Sequence, residues 1–333
     1  MDQNVEFSDN FPDYLMDAQY LLHPQEIKSI DKDVRKVIYR NAVAQKIFDT
    51  KQIARGKREH RVSVAVQPSS PIFSEDFLPE SMDKVAKEEK TFYLVGISKD
   101  YFLSMVDIDA SRNSQYHQTK IDTLHLREMV ALVAEFRERV LWRGQDINDA
   151  PSISQINSSL EGIVNATGIN TFDADGDGTA QLGTAGDGIK GFNEACSALI
   201  VDKFSPPFDT VMSPYVFTQL ISNMNSTTHV TDMERIKGLT DNHDRQMVNR
   251  IEIHEALLNA DDDGSASAWA VVAPHTKSGE ATVQILESYP LWHYPINTSK
   301  LGIQGKVLTM VGTAVIRPEA IAFEDSIDVD GTA

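Results

Sequence analysis

The sequence predicts an α+β protein, in which helices and strands occupy different parts of the chain. Three observations indicate this class. An apolar stripe with a spacing of three to four residues covers about residues 121–143 and predicts one long amphipathic helix, roughly 30 Å in length. A long basic segment with an alternating strand pattern precedes this helix, and the last part of the chain consists mostly of strand-like runs between turn signals.

The N-terminal region, residues 1–48, is expected to form an extended arm followed by a helix. Residues 1–22 are acidic and aromatic and include Pro12, which favours an extended segment, called the N-terminal arm below. From Pro24 to about Ile47, apolar residues recur at intervals of three or four, which predicts a helix.

The basic residues of this helix recur with the same period and would gather on one face, called the basic stripe below. Its members are Lys28, Lys32, Arg35, Lys36 and Arg40. Two interpretations of this face remain open. The stripe is either a solvated surface with ion pairs to Glu26, Asp31 and Asp33, or a locally positive surface that binds an anionic partner.

A long protruding β-loop is predicted for residues 49–90. The stretch contains the alternating pattern RVSVAVQ at residues 61–67, and Pro68, Pro71 and Pro79 make it too rich in proline for a core. Its cations form a second group, called the basic cluster below. The members of this cluster are Arg55, Lys57, Arg58 and Arg61. Loops of this length are uncommon in compact domains unless they have a function.

Two strands and the long helix are predicted next. Residues 91–97 and 101–108 have strand-like patterns, and Ser98–Asp100 between them predict a turn. The long helix follows at about residues 121–143, and Gly144 occupies the position after a helix C-terminus, where glycine is favoured. Long amphipathic helices of this kind usually serve as scaffold.

The remainder of the chain is expected to contain both helices and strands. Helices are predicted at about residues 158–166 and 189–204, and the stretch FDTVMSPYVFTQLISNMN from Phe208 predicts a strand, a proline turn and a helix. Residues 268–274 and most of the chain after residue 281 have strand patterns.

An aspartate-rich loop resembles part of a calcium-binding loop. Asp173, Asp175 and Asp177 alternate and Gly178 follows at once, in the register of the first half of an EF-hand loop. Thr184 replaces the glutamate that closes the metal shell in that motif, and no helix pattern flanks the loop. The loop is either a solvated acidic turn or a structural Ca²⁺ or Mg²⁺ site completed by ligands from elsewhere.

The composition and the motifs disfavour several function classes. The chain carries 31 basic and 49 acidic residues, a net charge of −18, so its surface as a whole repels nucleic acid. It contains no phosphate-binding glycine loop, no G-x-S-x-G and no H-E-x-x-H, and we expect neither an enzyme nor a required cofactor. Cys196, the single cysteine, lies in an apolar run and is expected to be buried. No stretch has the length of a membrane span, and no signal-peptide pattern is present.

The order of these elements resembles that of the major capsid proteins of tailed double-stranded DNA viruses (Caudoviricetes), which have the Hong Kong 97-type (HK-97) fold, and of the related encapsulins. The helix ending in VLWRG, the segment VMSPYVFTQL and the closing GTAVIRPEAIAF carry the resemblance, which covers about residues 25–325. It implies an extended β E-loop at residues 49–90, a P-domain with the long spine helix at 91–165, a mixed α/β A-domain at 166–290, and C-terminal strands at 291–333 that return to the core.

By this resemblance the protein assembles with itself, as pentamers and hexamers, into an icosahedral shell around double-stranded DNA. It would be assembled in the host cytoplasm and remain in the virion, with portal, scaffold, protease or decoration proteins as further partners and no membrane. The basic cluster would contact an acidic neighbouring subunit, and the basic stripe would face the genome. The acidity points to a halophilic archaeal host. The alternatives are a cellular encapsulin shell and a monomeric calcium-dependent binding protein or enzyme.

Overall fold

The computed structural model describes residues 31–38, 42–65, 87–104, 106, 124–144, 160–175, 181–241, 244–255, 267–299 and 302–329. The chain divides into two compact units. The first comprises residues 1–42, 96–137 and 289–310, and the second comprises the remaining residues.

The described elements are numbered here in chain order. The helices are α1 (31–38), α2 (Ala44–Ile47), α3 (Leu124–Arg143), α4 (Asp187–Val201), α5 (Pro214–Ser222) and α6 (Asp232–Lys237), with a 3₁₀ turn at Pro318–Ala320. The strands are β1 (Asp49–Gln52), β2 (Glu59–Ala65), β3 (Lys87–Tyr93), β4 (Val95–Ser104), β5 (Asn170–Thr171), β6 (Phe208–Met212), β7 (Val248–Ile253), β8 (Ser267–Val272), β9 (Val283–Ser299), β10 (Gly302–Val315) and β11 (Ile321–Ile327).

The larger unit contains a five-stranded mixed sheet with the order β5–β11–β8–β6–β7. β6 and β8 are buried along their whole length, as expected for central strands covered on both faces. β6 pairs in parallel with β7 and antiparallel with β8. Helices α4, α5 and α6 contribute to the same core, in which Trp269 packs edge to face against Phe172 and stacks on Phe192.

Strands β1, β9, β10 and β4 form a four-stranded sheet in that order, and the long strands β9 and β10 contribute residues to both units. β1 runs parallel to β9, with Asp49 opposite Gln284. β2 and β3 form a separate antiparallel ribbon that extends from the pair Glu59–Tyr93 to the pair Ala65–Lys87. Its first strand lies within the stretch that the sequence predicts to be a long β-loop, residues 49–90, and its second strand continues beyond that stretch to Tyr93.

Several predicted elements are confirmed. The long helix ends at Arg143, and Gly144 follows it with a φ of 64° and an amide that donates to the Val140 carbonyl, which is how a glycine commonly terminates a helix. The predicted strand, proline turn and helix are β6, Pro214 and α5. Cys196 is buried, and burial raises the pKa of its thiol to about 12.

The prediction of one continuous helix from Pro24 to Ile47 is wrong. The chain is helical at residues 31–38 and again at Ala44–Ile47, but Ala42 is not helical and Val43 is the N-cap of the second helix. The cause lies in the amide of Ala44, which donates to the buried carboxylate of Glu138 at 2.9 Å. This amide is therefore taken from the backbone ladder that a continuous helix would need.

The predicted turn at Ser98–Asp100 and the predicted helix at residues 158–166 are also wrong. β4 runs through Ser98–Asp100 without interruption. Residues 160–166 form turns and an isolated bridge, because the amides of Ile163 and Val164 donate to the last carbonyls of α3. Among the helices of the described residues, none is both long and apolar enough to cross a membrane.

Candidate assembly surfaces

The basic cluster lies on a short segment whose backbone is fixed at both ends. Before the cluster, the amide of Ile53 donates to the Glu287 carbonyl at 2.8 Å; within it, the Arg58 carbonyl accepts from the Leu94 amide at 2.8 Å, and Arg61 lies on β2. Between these anchors the chain turns at Gly56, which has a φ of 81°. The four cations therefore extend from a positioned backbone.

All four side chains of the basic cluster are exposed, and within the described ranges none of them forms an ion pair. Lys51 is a fifth exposed cation beside them, and Glu59 is the only carboxylate between residues 51 and 61, so the local net charge is 5 − 1 = +4. The positive charge also acts on His60. Its pKa is lowered first by burial and further by the charges of Lys51 and Lys57. The segment is thus a positive surface on an acidic protein.

The basic stripe is partly described, since Lys28 and Arg40 lie outside the described residues. Lys32, Arg35 and Lys36 are exposed on α1, and Val34 on the opposite face is buried. The helical periodicity predicted from the sequence is therefore confirmed over this part of the stripe.

The carboxylates of α1 do not pair with these cations among the residues whose placement is described. Asp31 contacts His293 instead, with 3.2 Å between the Asp31 Oδ1 and the His293 Nε2 atoms, and Asp33 forms no ion pair with another described residue. The guanidinium of Arg35 lies over the Trp292 ring, 5.7 Å from its centroid. Arg35 thus takes part in the contact between α1 and β9, whereas Lys32 and Lys36 form no ion pair within the described ranges.

His293 occupies the centre of this contact in the smaller unit. Its ring stacks on Trp292 with 5.3 Å between the centroids, and its Nδ1 atom lies 3.4 Å from the hydroxyl oxygen of Tyr101. Burial raises the pKa of Tyr101 far above its usual value, so this hydroxyl stays protonated. The sequence gives no signal that joins Asp31 to His293, because the two residues are 262 positions apart and neither belongs to a motif.

Two of the three aspartates of the predicted metal loop are described, and Asp177 lies outside the described residues. The Asp175 carboxylate is buried and accepts a hydrogen bond from the Gln181 amide at 3.1 Å. Asp173 accepts a weaker one from the Asp175 amide at 3.4 Å. Both bonds are made by described residues at the ends of the loop, and a structural Ca²⁺ or Mg²⁺ ion at Asp173, Asp175 and Asp177 stays a prediction.

A buried carboxylate that the sequence analysis did not single out fixes the start of α4. Asp232 is fully buried, and its two oxygens accept from the Gly186 amide at 2.9 and 2.8 Å. Burial raises the pKa of Asp232, while hydrogen bonds from the Gly186 and Gly188 amides and the charge of Arg235 act in the opposite direction. Because the carboxylate joins α6 to the N-terminus of α4, its role is to position two helices of the larger unit.

The sequence matches no model of a known protein family and none of the curated proteins compared with it. Its structure, in contrast, is similar to solved shell proteins. The capsid of Myoviridae phage XM1 gives a TM-score of 0.58 at 11% identity, covering 85% of this chain and 91% of the phage chain. The virus-like particle from Pyrococcus furiosus gives 0.55 at 12% identity, covering 90% of this chain and 98% of the other.

An encapsulin complex from Synechococcus elongatus is similar to nearly the same extent, with a TM-score of 0.52 at 13% identity and coverage of 87% and 89%. The similarities extend over most of every chain compared. The fold is therefore that of Hong Kong 97-type shell proteins, and the resemblance inferred from the order of the sequence elements is confirmed at the level of the fold.

Proposed function

We propose that this protein is a self-assembling shell subunit, the major capsid protein of a tailed double-stranded DNA virus. The observation that carries the proposal is the similarity in fold to a phage capsid over most of both chains. In this proposal residues 49–90 form the E-loop that reaches a neighbouring subunit, 91–165 the P-domain, and 166–290 the A-domain, and the subunits assemble as pentamers and hexamers. The protein acts structurally and without catalysis.

Two positive surfaces on a chain of net charge −18 agree with this function. The basic cluster and Lys32 and Lys36 are exposed and form no ion pair among the described residues, and a shell offers two partners for them. An acidic neighbouring subunit can pair with the basic cluster, which sets register and specificity at a repeated interface. The packaged genome can attract Lys32 and Lys36 of the basic stripe through its phosphates.

An encapsulin-like shell that encloses a protein cargo is the second candidate, supported by the similarity to the encapsulin. The two candidates share the fold and the assembly, so they differ in what the shell contains. The exposed lysines of the basic stripe favour nucleic acid as the content.

Size-exclusion chromatography with light scattering, followed by negative-stain microscopy of the large fraction, tests the proposal. We expect closed shells, or capsomers that close when ionic conditions change. A stable monomer of 37.1 kDa at every salt and calcium concentration would contradict any shell function. The ratio of absorbance at 260 and 280 nm and a nuclease-protection assay on purified shells then distinguish DNA from protein content.

The role of the basic stripe is tested with Lys32→Gln combined with Lys36→Gln. Arg35 is kept, because its guanidinium lies over Trp292. The double variant should form shells in normal yield but retain less nucleic acid, since two phosphate contacts per subunit are lost. Lys99→Gln combined with Lys277→Gln removes the same charge from other exposed positions and is the control. Equal nucleic-acid content in both variants would contradict a genome-facing stripe.

A further inference from the structure

The larger unit contains a cleft of about 270 Å³ that the proposed shell function does not involve. Three segments of the chain form its walls: residues 202–204, which follow α4, the turn at residues 276–280 after β8, and residues 317–319 before β11. The volume lies just below the range of roughly 300–1,000 Å³ that is usual for small-molecule sites. The cleft is therefore of a size for a small ligand.

Hydrogen bonds hold the walls of this cleft in place. The side-chain amide of Asn170 joins two of them, because it donates to the Asp202 carboxylate at 2.8 Å and to the Glu319 carbonyl at 3.0 Å. In the third wall the Thr276 amide donates to the Glu280 carbonyl at 2.8 Å, and the Glu280 amide donates to the Thr276 hydroxyl at 3.1 Å. A ligand does not have to order such a site, which lowers the entropic cost of binding.

The cleft contains charged side chains of both signs, and some of them have no partner. Arg317 and Glu319 pair with each other, with 3.6 Å between the Nη1 and Oε1 atoms. Lys203, Lys277 and Glu280 are exposed and form no ion pair with another described residue. These three groups have a net charge of 2 − 1 = +1. A ligand that matches them presents two anionic groups and one cationic group.

The backbone of Lys203 is strained. The residue follows the last turn of α4 with a φ of 68°, where glycine is the usual residue. Its amide donates to the Ile200 carbonyl at 2.9 Å, and the Phe204 amide donates to the Leu199 carbonyl at 3.0 Å, the bonds of a glycine-terminated helix. The chain thus has a lysine where stability alone favours glycine, which indicates a function for the side chain.

We infer that this cleft binds an acidic α-amino acid, of which L-glutamate is the simplest probe. Such a molecule has two carboxylates for Lys203 and Lys277 and one ammonium group for Glu280. The side chain of Phe204, which is buried in the core and lines the cleft, offers an apolar contact to its methylene groups. The inference concerns one chain and does not depend on the shell function.

Ligands with charge of only one sign fit the cleft less well. A phosphate or a dicarboxylate satisfies the two lysines but places negative charge beside Glu280, and a simple amine has the opposite conflict. The hydroxyl oxygens of Thr276 and Ser278, 2.8 Å apart, add neutral hydrogen-bonding groups to the same wall as Glu280. The cleft is therefore suited to a ligand that carries both signs.

Titration calorimetry of the full-length protein tests the inference with four probes. These are L-glutamate, L-glutamine, which lacks the side-chain carboxylate, glutarate, which lacks the ammonium group, and inorganic phosphate. L-glutamate should bind at least about tenfold more tightly than each of the others, because each of them loses a hydrogen bond between charged groups. Equal affinity for glutarate or phosphate would indicate a plain anion site and overturn the inference, as would absence of L-glutamate binding at millimolar concentration.

Substitutions in the turn test the assigned contacts. Lys277→Gln and Glu280→Gln should each weaken L-glutamate binding at least about tenfold. Glu280→Gln should not weaken glutarate binding, so that the preference for the amino acid disappears. Lys237→Gln and Glu194→Gln remove the same charges from exposed positions of the larger unit and are the matched controls. Equal losses in the controls would show an effect of net charge alone and overturn the inference.

Lys203→Gly separates binding from folding. Glycine adopts a positive φ without strain, so the thermal midpoint of the variant should be equal to or above that of the unmodified protein. Its affinity for L-glutamate should nevertheless fall at least about tenfold, because one carboxylate loses its ammonium partner. Unchanged affinity would show that Lys203 takes no part in binding and overturn the inference. None of these outcomes depends on whether the protein forms shells.

Discussion

The backbones of Gly144 and Gly162 pack directly against each other at the end of the long helix α3. A Cβ atom on Gly144 would approach the Gly162 amide nitrogen to less than 3.0 Å, and a Cβ on Gly162 would meet the Arg143 backbone equally closely. The contact allows the amides of Ile163 and Val164 to donate to the Leu141 and Trp142 carbonyls at 3.0 Å. These carbonyls belong to the last turn, where helical partners are missing. The next segment thus caps the helix.

Alanine at either glycine should therefore destabilise the subunit. For Gly144→Ala we expect a loss of about 2 kcal/mol or more in the free energy of unfolding, because a positive φ and an overpacked contact each cost roughly 1–3 kcal/mol. Gly162→Ala should lose a similar amount through the contact alone. Urea denaturation of dissociated subunits, followed by circular dichroism, measures the change.

The matched control is Gly96→Ala, because a Cβ at that position meets nothing within 4 Å. Gly96→Ala should leave the free energy of unfolding unchanged or raise it slightly, since alanine lowers the conformational entropy of the unfolded chain. If Gly144→Ala and Gly162→Ala lower the free energy of unfolding no more than Gly96→Ala does, the backbone around these glycines must accommodate the extra Cβ atom without strain.

The sequence predicts elements well where one pattern continues over many residues. The apolar stripe of α3 and the proline-initiated helix α5 are of this kind, and both lie where predicted. In β4 the pattern is interrupted at one position, so the sequence predicts a turn at Ser98–Asp100 where the strand continues. Val95, Ile97, Tyr101 and Leu103 are buried at alternate positions, so the period of two continues through Lys99. Lys99 lies at a position where this alternation places a buried residue, but it is exposed. The polar run around it therefore resembles a turn.

Tertiary contacts determine where a helix is interrupted and which of its side chains are buried or paired, and local sequence patterns do not show these contacts. The sequence between Pro24 and Ile47 has the period of one helix, but Glu138 binds the Ala44 amide from 94 positions away. Lys32, Arg35 and Lys36 of the basic stripe lie on one exposed face of α1, as the sequence predicts. Arg35 alone among them contacts Trp292, and the sequence does not predict that Trp292 lies beside α1. The sequence pattern therefore predicts which residues share a helical face, whereas tertiary packing determines which of them contact the rest of the chain.

Thr210 provides a test of the sheet core. Its hydroxyl oxygen lies 2.7 Å from the Trp269 Nε1 atom and 3.1 Å from the Ala270 carbonyl oxygen, and all three residues are fully buried. Thr210→Val keeps the shape but leaves the indole N–H of Trp269 without this acceptor. We expect a loss of about 1–3 kcal/mol in the free energy of unfolding, the cost of a buried unpaired donor.

Urea denaturation monitored by tryptophan fluorescence measures this loss. Thr210→Ser retains the hydroxyl and should keep the hydrogen bond, so it separates the polar effect from the loss of a methyl group. Equal destabilisation by valine and serine would contradict the importance of the bond.

Asp209 predicts a pH dependence of stability. Burial raises its pKa above the ordinary value of 3.8, against the hydrogen bond that it accepts from Asn249 at 2.8 Å. Below pH 3.8 the carboxyl is neutral in both states and contributes no pH dependence. As the pH rises from there through the raised pKa, the unfolded chain releases its proton first, so stability falls.

Asp209→Asn removes this ionisation while its amide oxygen can still accept from Asn249. The stability of the variant relative to the unmodified chain should therefore increase from pH 4 to neutral pH and then level off. Asp244→Asn is the control, because Asp244 is exposed and asparagine tolerates its φ of 58°. A relative stability that decreased with rising pH would show that the carboxylate is stabilised in the fold.

Arg35 and Lys36 are adjacent cations of the basic stripe, yet they should respond differently to neutralisation. Arg35 lies over the Trp292 ring, and Lys36 makes no ion pair among the described residues. Arg35→Gln should weaken the docking of α1 on β9 by about 0.5–1 kcal/mol, the usual strength of an exposed cation–π contact. Hydrogen exchange of the amides of residues 31–38 should accelerate accordingly, whereas Lys36→Gln should leave it unchanged. Equal exchange in the two variants would mean that Asp31 and His293 hold the helix without Arg35.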